Sequence, residues 1–231
     1  MSDLRDTPPT ATTLPRHLLL TWVIVVTVAE FLGFAVPATV GAVTAGEPDR
    51  VAVPALLLAG AVEGAMLGTG QALVLWSALP GLPARRWVWT TSAAAVVAYA
   101  IGLLPSTFAG LWGDWPTVAV AAAAVPLAAA LLASIGTAQW LILRRHVRRA
   151  GRWILATAVA WTVGLAVFLG FTMPLWRPGQ PATAVIAIGL AGGLLMAATT
   201  SVITGWALVR LPAERERPVP AGPPALHERC G

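Results

Sequence analysis

Six long apolar stretches alternate with short polar segments along the 231-residue chain: Leu18 to Val40, Val51 to Leu79, Trp87 to Leu104, Thr117 to Leu143, Trp153 to Leu175 and Ala184 to Val209. None has the polar–apolar alternation of a half-buried strand. A hydrocarbon core about 30 Å thick takes about 20 helical residues to cross. A backbone in lipid must also satisfy its own polar groups, which favours helices for continuous runs of this kind. The pattern predicts an all-α polytopic membrane protein with six transmembrane helices within residues 16–210. The first run is long for a cleaved signal peptide and contains Glu30, so it reads as a retained helix. Residues 1–15 and 211–231 lack apolar periodicity and are rich in Pro and polar residues, which predicts disordered cytoplasmic tails.

Composition agrees. The chain is 57% hydrophobic and 11% charged, with a mean hydropathy of +0.76, against about 25% charged residues in soluble domains. All 15 Lys+Arg residues are Arg, a usage that fits a GC-rich bacterial genome and hence a bacterial plasma (inner) membrane. A pI of 11.2 would ordinarily suggest a nucleic-acid partner. Here arginine follows topology instead. Thirteen arginines precede the first run, lie between the second and third or fourth and fifth, or follow the sixth, and only Arg50 and Arg177 fall on the other side. The positive-inside rule then places both termini in the cytoplasm. Arg144, Arg145, Arg148, Arg149 and Arg152 are candidates for contact with anionic lipid headgroups. Ten of the eleven tryptophans fall near the ends of runs, where indole rings anchor at the membrane interface, and only Trp161 lies well inside one. The single Cys230 excludes an intrachain disulfide.

The chain repeats itself. Gly68-Thr69-Gly70-Gln71-Ala72-Leu73-Val74-Leu75 is followed by Arg85-Arg86-Trp87, and Gly136-Thr137-Ala138-Gln139-Trp140-Leu141-Ile142-Leu143 by Arg152-Trp153. Each odd-numbered run starts after an arginine and ends with a glycine and a proline: Gly33 and Pro37, Gly102 and Pro105, Gly170 and Pro174. Proline removes a backbone donor and is expected to help to end each helix there. The sixth run offers only Gly205-Trp206-Ala207-Leu208-Val209-Arg210, without the glutamine and with a register fixed only to within one residue. The reading is three parallel helical hairpins, the third degenerate. The second copy, with Gly136, Gln139, Trp140, Leu141, Leu143 and Arg144, resembles a group of uncharacterised bacterial multi-pass membrane proteins with repeated G-x-x-Q-W-L-x-L-R segments. The first copy lacks the Trp and Arg of that pattern. The resemblance spans most of residues 60–210 and implies no activity.

Candidate chemistry is sparse. Glu30 and Glu63 are the only carboxylates inside the runs, and each costs about 2.5–3.5 kcal/mol or more at a bilayer centre when ionised. Counted along their helices they lie roughly 18 Å and roughly 17 Å deep from opposite faces, so they share a level and could meet. They are read either as a proton-, cation- or ligand-binding pair or as neutral acids hydrogen-bonded across helix interfaces. Gln71 and Gln139 complete the candidate binding set, although at the membrane boundary their amides can simply bond loop carbonyls. Gly60, Gly64 and Gly68, and Gly189 and Gly193, form rows of small residues at helical spacing, the signature of close helix packing. The three histidines lie outside the runs and no metal-ligand cluster or nucleophile elbow occurs, so neither catalysis, a metal nor a cofactor is expected. The expected partners are the bilayer with its anionic headgroups, and a second copy or another membrane protein. The function read from these residues is a non-enzymatic accessory or interaction subunit, with a small proton- or cation-coupled transporter using the intramembrane acids as the alternative.

Overall fold

A computed structural model describes residues 16–211. The predicted tails therefore fall outside the described residues, except Leu211, which is buried in the core. Six helices are long and apolar enough to cross a membrane: α1 (Arg16–Val43), α2 (Asp49–Ala78), α3 (Ala84–Thr107), α5 (Thr117–Leu143), α6 (Arg152–Thr172) and α7 (Ala182–Val209), with one short turn of helix, α4 (Ala109–Trp112), after α3. No strand occurs among the described residues. The chain is thus built as an all-helical polytopic membrane protein requires.

Proline starts helices here more than it stops them. Pro48, Pro83, Pro116 and Pro181 cap α2, α3, α5 and α7. A capping proline has no N–H to leave unpaired, while its carbonyl accepts the first helical bond, from Ala52, Trp87, Val120 and Val185 respectively. The expectation that proline ends the odd-numbered helices holds poorly. α1 runs through Pro37 to Val43 and α3 passes Pro105 by two residues, whereas α6 stops at Thr172, before Pro174. In lipid the helix continues because no alternative partner exists for its remaining backbone groups.

The long helices pack as a closed ring in the order α1, α2, α3, α5, α6, α7 and back to α1. Burial is uneven along it. The core gathers at the arginine end, from Leu18, Trp22 and Val26 of α1, Leu67 to Leu82, Trp87, Ile142 to Trp153, and Leu208 and Leu211. The loop after α5 folds beneath the bundle: Val147 and Ala150 are buried while Arg144, Arg145, Arg148, Arg149 and Arg152 are exposed. At the other end the helices present little buried surface, and α5 has no buried residue before Ile135. The ring is tightly closed at one end and loose at the other.

Candidate functional site

The closed end is sealed by hydrogen-bonded indoles and amides. Trp22, Trp87 and Trp153 are fully or almost fully buried, at 0%, 0% and 1% exposure. Each donates its indole N–H to a polar side chain on a neighbouring helix: Trp87 to Gln71 Oε1 at 3.1 Å, Trp153 to Gln139 Oε1 at 2.8 Å, and Trp22 to Thr204 Oγ1 at 3.1 Å. The indole only donates, so it fixes which way both amides face. Gln139 Nε2 is then free to donate to Gln71 Oε1 at 2.7 Å and to Thr91 Oγ1 at 3.0 Å. The two amides thereby link α2 to α5, which are not adjacent in the ring. An edge-to-face contact between Trp22 and Trp153, with centroids 6.0 Å apart, ties α1 to α6 across it. All six long helices contribute to this plug.

Beyond the plug the ring surrounds a cavity of about 380 Å³, lined from every long helix, by Phe34, Glu63, Tyr99, Leu131, Trp161 and Met196 among others. Glu63 is the only carboxylate among the lining residues, and no basic side chain faces it there. Glycine makes room for this arrangement. A Cβ on Gly60 would sit 2.5 Å from the Tyr99 ring, so the bare backbone lets Tyr99 lie against α2 and donate to Glu63 Oε2 at 2.6 Å. Gly64 meets Ala95 and Ser92 in the same way, and Gly193 meets Phe34.

Glu30 lies outside the cavity, 2% exposed between α1 and α7. Thr200 Oγ1 lies 2.6 and 2.7 Å from its two oxygens and 3.0 Å from the Ala197 carbonyl. One hydroxyl carries one proton, so Thr200 cannot donate all three bonds. The two acids take different partners rather than each other, although α1 and α2 touch close by, where a Cβ on Gly33 would meet the Glu63 carbonyl oxygen at 3.2 Å.

Three expectations need correction. Gln71 and Gln139 bond each other and buried indoles, not loop carbonyls, because the loops lie beyond the plug while two donor-only indoles lie beside them. Trp22, Trp87 and Trp153 are core residues, not interface anchors; Trp76, Trp89 and Trp206, 70%, 72% and 53% exposed, do face outward. A Cβ on Gly189 would meet no described atom of another helix within 4 Å, so the close contacts of the small-residue row on α7 begin further along, at Gly193. The third indole bonds Thr204, one residue before Gly205 and within the one-residue latitude of the sixth run's register. Gly60, Gly64 and Gly68 do make close helix contacts.

Sequence reasoning missed Tyr99; Thr200 and Thr204 read there only as hydroxyls that bond their own helix or bridge helices, and they do both, bridging α7 to Glu30 and Trp22 of α1. Tyr99 is the chain's one tyrosine, in the middle of an apolar run, and that rarity was the available signal. Compared with known proteins, the chain matches no protein-family model, no curated protein and no solved structure.

Proposed function

We propose that the protein is a small membrane carrier: the cavity is its binding chamber, the indole–amide plug its gate, and Glu63 with Glu30 the acids that couple movement to protons or cations. The observation that carries this reading is the placement of Glu63 on a cavity lined from every long helix, in a ring whose buried core gathers at the arginine end. An accessory subunit that works through its outer surface has no use for an acid on its inner wall, at a cost of about 2.5–3.5 kcal/mol or more if ionised. The polar plug fits a gate better than a static floor. Its hydrogen bonds can be exchanged for bonds to water, whereas a purely apolar floor would gain nothing on opening.

The ring also supports descent from three repeated hairpins. The indole contacts recur at α2–α3, α5–α6 and α7–α1, with Gln71, Gln139 and Thr204 as acceptors. Repeats of this kind commonly frame a central site in transporters. The exposed arginines favour a cytoplasmic plug end and a chamber opening outward in a bacterial plasma membrane.

Thiol accessibility tests the reading without knowledge of the substrate. In a Cys230→Ser background, single cysteines at Ala98 and Leu131, both on the cavity wall, are treated with a membrane-impermeant thiol reagent applied from either side. A carrier labels from the side opposite the arginines and, in a smaller fraction, from the arginine side. Labelling from one side only, under every condition of pH and gradient, would leave a static receptor or accessory subunit.

A further inference from the structure

The chemistry of the cavity wall narrows what can occupy it. We propose that the chamber takes a single-charged organic cation with an aromatic or branched apolar body, its charge held by Glu63 and its body by the surrounding rings. The assignment names the ligand of the chamber described above and so rests on that reading.

Volume comes first. A cavity of about 380 Å³ is at the lower end of the range that holds drug-sized molecules, about 300–1,000 Å³, and is too large for a bare ion. The wall is almost wholly apolar, so most of the ligand must be apolar too. Four aromatic residues line it: Phe34, Tyr99, Trp161 and Phe168. Aromatic faces attract cations through their quadrupole, and more strongly where water is excluded.

Charge comes next. The Tyr99 hydroxyl occupies Glu63 Oε2, and no described residue bonds Oε1, which is left for the cavity. With no basic side chain on the wall, the counter-charge to an ionised Glu63 has to arrive with the ligand. One acid compensates one positive charge, and a second would stay buried and unpaired. A zwitterion such as an amino acid would find nothing to receive its carboxylate. A metal ion with hard oxygen preference needs about six ligands, and the wall offers a carboxylate and a phenol. An anion is repelled. A neutral lipophile or a lipid acyl chain satisfies the wall but leaves the acid unused.

Binding of radiolabelled tetraphenylphosphonium to the purified full chain, in detergent and in nanodiscs, tests the assignment, with tetraphenylborate as an anionic counterpart of the same shape and triphenylphosphine oxide as a smaller neutral one. The expected result is saturable binding of the cation alone. Glu63→Gln should weaken it by about tenfold or more, as loss of one partner of a buried charge pair does, and Glu63→Asp should retain part of it. Trp161→Leu should weaken it by about threefold or more through loss of a cation–π face. Unfolding temperature and monodispersity verify that each variant is folded.

Binding of the phosphine oxide or the borate as tight as that of the cation overturns the proposal, and so does unchanged cation binding by a folded Glu63→Gln chain. A copurifying phospholipid that the cation does not displace overturns it as well. The two readings fail separately. Glu63-dependent cation binding with one-sided cysteine labelling upholds the ligand class and removes the carrier. Two-sided labelling without cation binding does the reverse.

Discussion

At the scale of single residues, the plug depends on side chains that each hold more than one partner. Gln139 is the most connected, accepting from Trp153 and donating to Gln71 and Thr91. Gln139→Leu leaves the buried Trp153 indole without an acceptor, and a stranded buried donor costs about 1–3 kcal/mol. Thermal unfolding in detergent should register that loss, together with increased arginine-side labelling at Leu131 if the plug is the gate. Ser201 behaves oppositely. Its hydroxyl is buried with no hydrogen-bond partner among the described residues, so Ser201→Ala removes an uncompensated polar group and is expected to stabilise the protein by about 1 kcal/mol; a lower unfolding temperature would mean that the hydroxyl is bonded after all. Little of this network was legible in the sequence. Hydropathy and the affinity of indole for interfaces put Trp22, Trp87 and Trp153 near the arginine ends of their runs, but position along a helix does not say whether a ring faces lipid or core. That direction depends on the rotation of each helix, which is decided by contacts between segments far apart in the chain, such as the 182 residues between Trp22 and Thr204.

At the scale of the helix, the spans themselves were legible because burial in lipid acts on every residue of a segment at once. The fourth run was expected at Thr117 to Leu143 and α5 has those bounds, and the other runs differ by a few residues at their ends. Glycine spacing was informative where a partner helix lies against it and silent where none does. Two substitutions separate these cases. Gly64→Ala would put a methyl 2.6 Å from the Ala95 Cβ and 2.9 Å from the Ser92 backbone, and backbone cannot step aside as a side chain can. Overpacking of this kind costs about 1–3 kcal/mol. Gly189→Ala meets open space and should raise stability by about 0.5–1 kcal/mol through helix propensity alone. Unfolding temperatures of the two variants should therefore move in opposite directions; a shift of the same sign would mean that α2 does not lie on α3 as described. The Gly205-led similarity of the sixth run fixes its register only to within one residue, for a related reason. Alignment by letters rewards Gly and Leu, which recur all along an apolar helix, whereas the contact that matters requires only an acceptor at the level of Trp22, and a threonine serves.

At the scale of the whole molecule, an even number of spans returns the chain to the side from which it entered. With the arginines inside, reporters fused at residue 16 and at residue 211 should both be cytoplasmic, and a reporter in the segment between α1 and α2 external; the opposite assignment would invert the proposed direction of the chamber without disturbing the ring. The ring joins α1 to α7, the first and last of the long helices, and the order of synthesis gives that closure a consequence. As the ribosome delivers the helices one after another, α2–α3 and α5–α6 can each complete their indole bond as soon as the second member enters the bilayer. α1 cannot. Among the described residues, the hydrogen-bond partners of the Trp22 indole and of the Glu30 carboxyl both lie on α7, so these two groups stay without a hydrogen bond in lipid until the last helix has been made. A chain released before α7 is complete carries an unpaired acid within the bilayer, a mark by which membrane quality control can tell an unfinished copy from a finished one.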